Sequence, residues 1–573
     1  MTDASGTTAI TYDAQGRVTA RAQAITSGGY ATPFTTGYQY DRNGKVTQIA
    51  YPSGDVVNIT RATDGLATAM TFTPHGGTAQ TVIAGAAYEP FGPLASLTYG
   101  NGLNLTRGYD QDYRLTGITL APATGSALMN VTYGWQADGR LSTVTDNLTP
   151  AQPSRAASYG YTPAGRVLSG VGAWGSYGYG YDASGNLTLT GPTSAPVTAT
   201  VSATSNQIVS AVGNGGARAL SYLPGGALAE DGSATGSTYL YSYNASKRLA
   251  KVQVNPAAPT LNGLYAYDYQ GRRVWRQNGN SGAQTAYVYD EAGHVLAEQN
   301  AAAGGGGATA REYIWLDDAL IGMPIYVSGN PVPRFVTTGQ IDDPRIVTLT
   351  SQAISWNGYT DPFGQGATFS TPTNLLNLRY PGQWFQGETS AVGLSQNGYR
   401  DYDPTLGRYI ETDPLGIEAG ANVYAYVDGD PVNAIDPMGL VNHTTGQTYN
   451  CGQGCWIRID YTFDPDTGVK TRHLHWECRG NSGECGENGA SSHGGTWEDA
   501  PERIKECARK HGFNGAPASN VSPRVNPMVI GGAIGGAGVL AGGACALLEP
   551  CGAAVGGVLG LVGLTSAAIG AAQ

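Results

Sequence analysis

The sequence predicts a mainly β protein of stacked hairpins, followed by a small α+β module and a C-terminal apolar helical hairpin. Three observations predict this. Gly makes up 84 of 573 residues and charged residues only 13%, about twice and about half the usual shares. Tyr is abundant at 35 while Phe is only 9, which suits half-exposed strands. A tyrosine-aspartate motif also returns again and again along the first half of the chain. This composition suits neither a helical enzyme nor a disordered chain. A net charge of −11 argues against a generic basic nucleic-acid surface.

The N-terminal stretch MTDASGTTAITYDAQG is polar. No cleavable signal peptide is visible, because the basic and apolar regions of one are both missing. Met1 falls almost directly before a repeat unit. The expectation is either a C-terminal part of a longer protein or export without a cleaved signal.

The repeat comes next. Tyr12-Asp13 with Gly16-Arg17-Val18 returns as Tyr40-Asp41 with Gly44-Lys45-Val46, and as Tyr181-Asp182 with Gly185-Asn186-Leu187. Later copies are Tyr267-Asp268 with Gly271-Arg272-Arg273, and Tyr289-Asp290 with Gly293-His294-Val295. Degenerate copies sit at Tyr109-Asp110, Tyr161 and Tyr243. Each unit reads as strand, turn, strand. Asp bonds nearby amides, Gly permits positive φ, and the Arg/Lys-Val/Leu pair opens the return strand. Stacked hairpins cover one another's edges. Periodicity alone leaves a generic β-solenoid or propeller open.

The recurring Y-D-x-x-G-R-[VL] pattern resembles the tyrosine-aspartate repeats of the RHS family. The resemblance covers roughly residues 8–440 and implies a β-hairpin ribbon wound into a hollow shell. Family shells are longer, so the implied shell is partial, a truncated gene product, or one half of a container completed by a second shell chain. Residues 380–440 are similar to the RHS-associated core domain. The matching pieces include Asn397-x-Tyr399-Arg400-Asp401-Tyr402, Gly407-Arg408-Tyr409, Thr412-Asp413-Pro414-Leu415-Gly416 and Asp436-Pro437-Met438-Gly439-Leu440.

That resemblance implies self-cleavage just after Leu440, at the Leu440-Val441 junction, with everything beyond as variable toxin cargo. Asp413 and Asp436 match the family's candidate aspartates, and Arg400 the supporting arginine. The chemistry is reasonable on physical grounds. Two carboxylates sharing one proton can activate a water and protonate a leaving nitrogen, because like charges a few Å apart cannot both ionise, while an Arg holds the ionised form and fixes its orientation. The bland alternative is that Asp-Pro pairs only start turns, as at Asp361-Pro362, Asp403-Pro404 and Asp430-Pro431.

The composition changes at this joint. All seven Cys lie after residue 440, as do five of the seven His. The expected divisions are a repeat shell over 1–379, a core domain over 380–440, a Cys/His-rich module over 441–526, and an apolar hairpin over 527–573. In the module, Trp456–Phe463 alternates, Asp464–Gly468 reads as a hairpin loop, and Lys470–Cys478 is the return strand. Residues 497–512 read as a helix, with Pro501 in its first turn and Gly512 at its end.

His473, His475 and Glu477 share one strand face, and His493 lies in a Gly-rich loop. Together they form a candidate acid/base or metal site, weighed against ordinary surface histidines. No standard zinc spacing is satisfied, and no cofactor is called for. Five Cys in the module could instead form two disulfides and leave one thiol. The segment 441–573 carries nine basic and eleven acidic residues, which weakens a nuclease reading.

The tail holds two uncharged stretches, 528–548 and 551–572, split by Glu549-Pro550. Each is long enough to span a bilayer. Gly531 and Gly535, Gly538 and Gly542, and Gly552, Gly556 and Gly560 fall at the four-residue spacing that lets helices pack closely in lipid. The alternative is a Gly/Ala-rich segment stored inside the shell.

The expected function is an RHS-type polymorphic toxin with a self-cleaving shell and a cargo that inserts into a target-cell membrane. One rival is a His-dependent enzymatic toxin, a nuclease with nucleic acid as its target, whose hairpin aids translocation. The other is a cell-surface adhesion protein with the tail as anchor. By family analogy the partners are a cognate immunity protein and a secretion or delivery machine, so the protein is secreted or delivered.

Overall fold

The computed structural model describes residues 1–440 apart from 31, 91–92, 149–153, 214–215, 234–235, 302–306, 369–375 and 390–392. Beyond that it describes the backbone of strands between 443 and 486, and helical residues 504, 505 and 508. The predicted helix over 497–512 is described only at those three positions. The tail glycines and His493 lie outside the described residues, as does Val441.

The architecture is nearly all antiparallel β. A first sheet runs sixteen strands in chain order, from Thr2–Asp3 to Gly175–Gly178. A second runs fifteen, from Gly180–Tyr181 to Asn330–Val332. Neither closes on itself. A third, six-stranded sheet uses strands between Ile314 and Thr368, and a fourth joins Gln383–Gln386, Leu394–Asn397, Arg400–Asp403 and Arg408–Tyr409.

The repeat motif has a local explanation in this ribbon. Asp13 Oδ1 accepts the N–H groups of Gln15 and Arg17, and its Oδ2 meets Arg17 Nε at 2.6 Å. Gly16 takes φ +80, the left-handed value the turn requires. Arg17 then lies over the ring of Tyr40 in the next unit, 4.7 Å from its centroid. The Tyr40 hydroxyl donates to the Val18 carbonyl oxygen at 2.7 Å.

This stitch recurs along both large sheets. Tyr161 reaches Leu141, Tyr181 reaches Val167, Tyr267 reaches Leu249 and Tyr289 reaches Arg273, each hydroxyl on a main-chain carbonyl. Trp135 and Trp315 make the same link through their indole N–H, to Leu115 and Val295. The excess of Tyr over Phe follows, because Phe has the ring but no donor. Each stitching tyrosine also sits at a register shift, as between Gln39 and Tyr40 or Val288 and Tyr289, where the bulge increases local twist.

Residues 313–440 pack between the large sheets. One core joins Met70, Ile83 and Leu105 of the first sheet to Ile314, Phe335 and Ile346 of the third. A second joins Leu220, Leu249 and Val252 of the second sheet to Leu394, Leu406 and Ile410. Buried ion pairs add to this docking: Arg218 meets Asp403 at 2.8 Å, and Arg273 meets Asp401 at 2.9 Å.

Candidate functional site

The fourth sheet supplies the site. Arg400 begins the third of its strands, Tyr409 ends the fourth, and Asn397 ends the second, opposite Arg400 in register. Asp413 and Asp436 come from the loops that follow. The main chain at Asp413 is pinned by its N–H on the Val423 carbonyl oxygen at 2.8 Å.

The three residues expected to act together do converge. Nη2 of Arg400 lies 2.8 Å from Asp413 Oδ2 and 3.3 Å from Asp436 Oδ2. Arg400, Asp413 and Asp436 are 3%, 5% and 1% exposed, so these charges meet out of water and their interaction is weakly screened. The two carboxylates meet on one guanidinium nitrogen, so the Arg holds the pair together.

The Asp-Pro turn reading is also correct in geometry. Asp413 Oδ1 accepts the Leu415 N–H at 2.8 Å, and Asp436 Oδ1 accepts the Leu440 N–H at 3.0 Å. Each carboxylate spends one oxygen on its own turn and turns the other toward Arg400. Asp361 and Asp403 make comparable turns, to Phe363 and Gln365 and to Thr405 and Leu406. Of these, Asp403 is paired with Arg218. Arg400 is what distinguishes Asp413 and Asp436.

Burial pushes Asp413 up to about 6, against the opposing pull of Arg400 and the Leu415 N–H, with the Asp436 charge adding to the rise. A carboxyl that titrates near neutrality suits general acid/base work.

The chain just before the predicted junction is gripped. Arg400 Nε donates to the Gly439 carbonyl oxygen at 2.6 Å while Asp436 holds the Leu440 N–H. One peptide group is thus held at both ends. The Tyr399 N–H bonds the Met438 carbonyl oxygen at 2.7 Å, and Leu440 is buried. Gly382, Gly398 and Gly439 each permit a close main-chain approach, since a Cβ there would strike Pro437, Met438 or Asn397 main-chain atoms.

Three surrounding residues received no role from the sequence. The Tyr409 hydroxyl donates to Asp436 Oδ2 at 2.8 Å, and Asn397 Nδ2 donates to the Tyr409 oxygen at 2.8 Å. Tyr426 packs against Tyr402 and Tyr409, with ring centroids 4.7 and 5.8 Å away. The only signal for Asn397 and Tyr409 was membership of the motif segments around Arg400.

The histidine candidates lie on a separate sheet. The predicted hairpin is present as Cys455–Asp464 and Val469–Cys478 in antiparallel register. His473 stands opposite Asp460 and Gly486, and His475 opposite Arg458 and Glu484. Glu477 stands opposite Trp456 and Ser482. Among the described residues there is no cluster of three or more metal-ligating side chains, and no helix long and apolar enough to cross a membrane.

Comparison with known proteins agrees with this architecture. A family model described as Teneurin YD-shell matches residues 95–432. Double-stranded DNA deaminase toxin A of Burkholderia cenocepacia is 26% identical over 258 residues, 38% of this chain and 16% of the relative. Toxin protein Tse5 of Pseudomonas aeruginosa is 35% identical over 107 residues, 19% of this chain and 8% of that protein. The chain therefore spans well under a fifth of either relative's length. The TcdB2-TccC3 crystal structure matches with a TM-score of 0.63 at 19% identity, over 76% of this chain and 24% of that one. A Photorhabdus luminescens Tc holotoxin pore matches with a TM-score of 0.62 at 19% identity, over 74% of this chain and 23% of that one.

Proposed function

This chain belongs to the teneurin YD-shell family, and from that premise we propose that it is the shell-and-cargo end of an RHS-type toxin that cuts itself after Leu440. The observation that carries the proposal is Arg400 bridging Asp413 and Asp436 while gripping Gly439, one residue before the buried Leu440. Toxin names among the relatives support a delivered protein with an immunity partner and a delivery machine. A second shell chain that completes the container belongs to the same proposal.

In the proposed reaction a water attacks the Leu440 carbonyl carbon and gives a proton to the ionised Asp413. The proton then passes to the Val441 nitrogen as the C–N bond breaks, leaving a Leu440 carboxylic acid, a free Val441 amine and an ionised Asp413; the acid proton then moves to the amine. Arg400 and Asp436 hold the preceding peptide still, which lowers the entropy cost of the attack.

The test is the mass of the pieces of the full chain under denaturing conditions, beside Asp413→Asn and Asp436→Asn. A fragment beginning at Val441, absent from either variant, supports the reading. An intact 573-residue chain from the native sequence contradicts it and favours an anchored surface protein.

For the cargo, we propose membrane insertion through residues 528–572, supported by two uncharged stretches of spanning length. A second reading has a specific support: the DNA deaminase toxin relative. It makes the module an enzyme centred on His473 and His475. The expected domain divisions at 379, 440 and 526 belong to the same proposal.

A further inference from the structure

The self-cleavage proposed above needs more than three residues, and the fourth sheet supplies the rest. Asp436 receives donors on both oxygens. The Leu440 N–H takes Oδ1, while the Tyr409 hydroxyl and Arg400 Nη2 take Oδ2. The tyrosine contact is itself oriented. Asn397 Nδ2 can only donate, so it occupies a lone pair of the Tyr409 oxygen and leaves the single hydroxyl proton for the carboxylate. Asn397, Tyr409 and Asp436 are 0%, 1% and 1% exposed. The Arg400 guanidinium carbon lies 3.6 Å from the centroid of the Tyr409 ring, on its face. One side chain thus braces the arginine with its ring and the aspartate with its hydroxyl.

We propose that Tyr409, aimed by Asn397, is a positioning residue for self-cleavage: it fixes the Asp436 carboxylate and so the Leu440 amide, while Asp413 is left to carry the proton. This rests on the self-cleavage reading. The assignment follows from occupancy. Asp436 has both oxygens committed to the turn, the tyrosine and the arginine. Among the described residues, the Asp413 carboxylate meets the Leu415 N–H and Arg400, and burial pushes it up to about 6. The charged and titratable groups meeting Asp436 are Arg400, Tyr409, Tyr426 and, through Arg400, Asp413.

Tyr409→Phe separates the two functions of the side chain, because it keeps the ring under Arg400 and removes the hydroxyl. The full chain is pulse-labelled during cell-free synthesis, moved into buffers from acid to mildly alkaline pH, and followed by loss of the uncut precursor. Folding is checked by resistance of the shell to limited proteolysis. The expected result is release slowed about ten- to a hundredfold, the size of one lost hydrogen bond to a charged group. The acid limb of the rate profile should also move to higher pH, since Arg400, drawn toward the Asp436 oxygen that lost its donor, stabilises the Asp413 charge less. Asn397→Ala, which frees the hydroxyl to point elsewhere, should give a milder slowing with the same direction of shift, and it decides the matter if Tyr409→Phe does not fold. Release at the native rate with an unmoved profile, while Asp413→Asn blocks it, would overturn the positioning role and leave self-cleavage standing. No release from the native chain would overturn both.

Discussion

Asp436 reaches forward four residues and accepts the backbone N–H of Leu440 at 3.0 Å. A candidate catalytic carboxylate is thereby tied to the chain immediately before the bond it is expected to help break. The geometry of that short turn decides whether the junction is presented correctly.

Gly439 is the sensitive point. Its φ of +67 is left-handed, and a Cβ would strike the Asn397 carbonyl oxygen. Gly439→Ala should displace Leu440 from Asp436 and slow fragment release by at least tenfold, with the shell still resistant to protease. Positive φ alone costs about 1 kcal/mol or more for a non-glycine residue. Release at the native rate would show that the turn tolerates distortion.

Arg273 is fully buried and its Nη2 lies 2.9 Å from both oxygens of Asp401, the neighbour of Arg400. Arg273→Met should strand the Asp401 charge and destabilise the shell by about 3–5 kcal/mol. Combining it with Asp401→Leu should recover much of that loss. Urea denaturation followed by tryptophan fluorescence measures both, and equal losses in the single and double variants would contradict the pairing.

Asp361 lies 2% exposed and accepts two main-chain N–H groups, yet burial pushes it up to about 7. The sign follows from linkage. The folded state binds the proton more tightly than the unfolded chain, so stability falls as pH rises from about 4 to about 7 and then levels. Asp361→Asn keeps a carbonyl acceptor and cannot ionise. Its advantage in melting temperature should be absent near pH 4 and largest above pH 7. A pH-independent difference would count against this assignment.

The tyrosine stitch predicts a local effect. Tyr289→Phe removes the donor to the buried Arg273 carbonyl, 2.8 Å away, and should cost about 1 kcal/mol. Hydrogen exchange should speed up in the strands 273–278 and 284–289 and leave distant hairpins unchanged. Uniform acceleration along the whole ribbon would mean the sheets open as one.

Two cargo variants separate insertion from chemistry. Gly535→Asp with Gly556→Asp should abolish toxicity if the apolar hairpin kills by inserting, since a charge in the bilayer centre is costly. His473→Ala with His475→Ala should abolish it if the strand face is an active site. Growth of cells induced for residues 441–573 is the readout.

The ribbon was legible because its signal is local. Asp13, Gly16 and Arg17 form their turn within five residues, and the motif repeats that arithmetic. The return strand with His473 and His475 was legible for the same reason, through alternation on either side of a turn. The burial of residues 313–440 between the large sheets was not legible, because it depends on distant contacts. The Tyr99 hydroxyl on the Val336 carbonyl oxygen spans 237 positions. Trp135 and Trp315 hid two stitches behind a different side chain. At the site, Arg400, Asp413 and Asp436 could be named from the motif, but Tyr409 looked like one more strand tyrosine. Only the direction of its hydroxyl marks it.

The stitch joins each hairpin to the one before it. Pulled from one end, such a ribbon would surrender its hairpins singly, each release dropping the tension before the next stitch is loaded. Threading through a narrow export channel imposes that kind of pull. Once its docking to residues 313–440 is released, a wall of separately yielding rungs can be drawn through an opening by many small efforts.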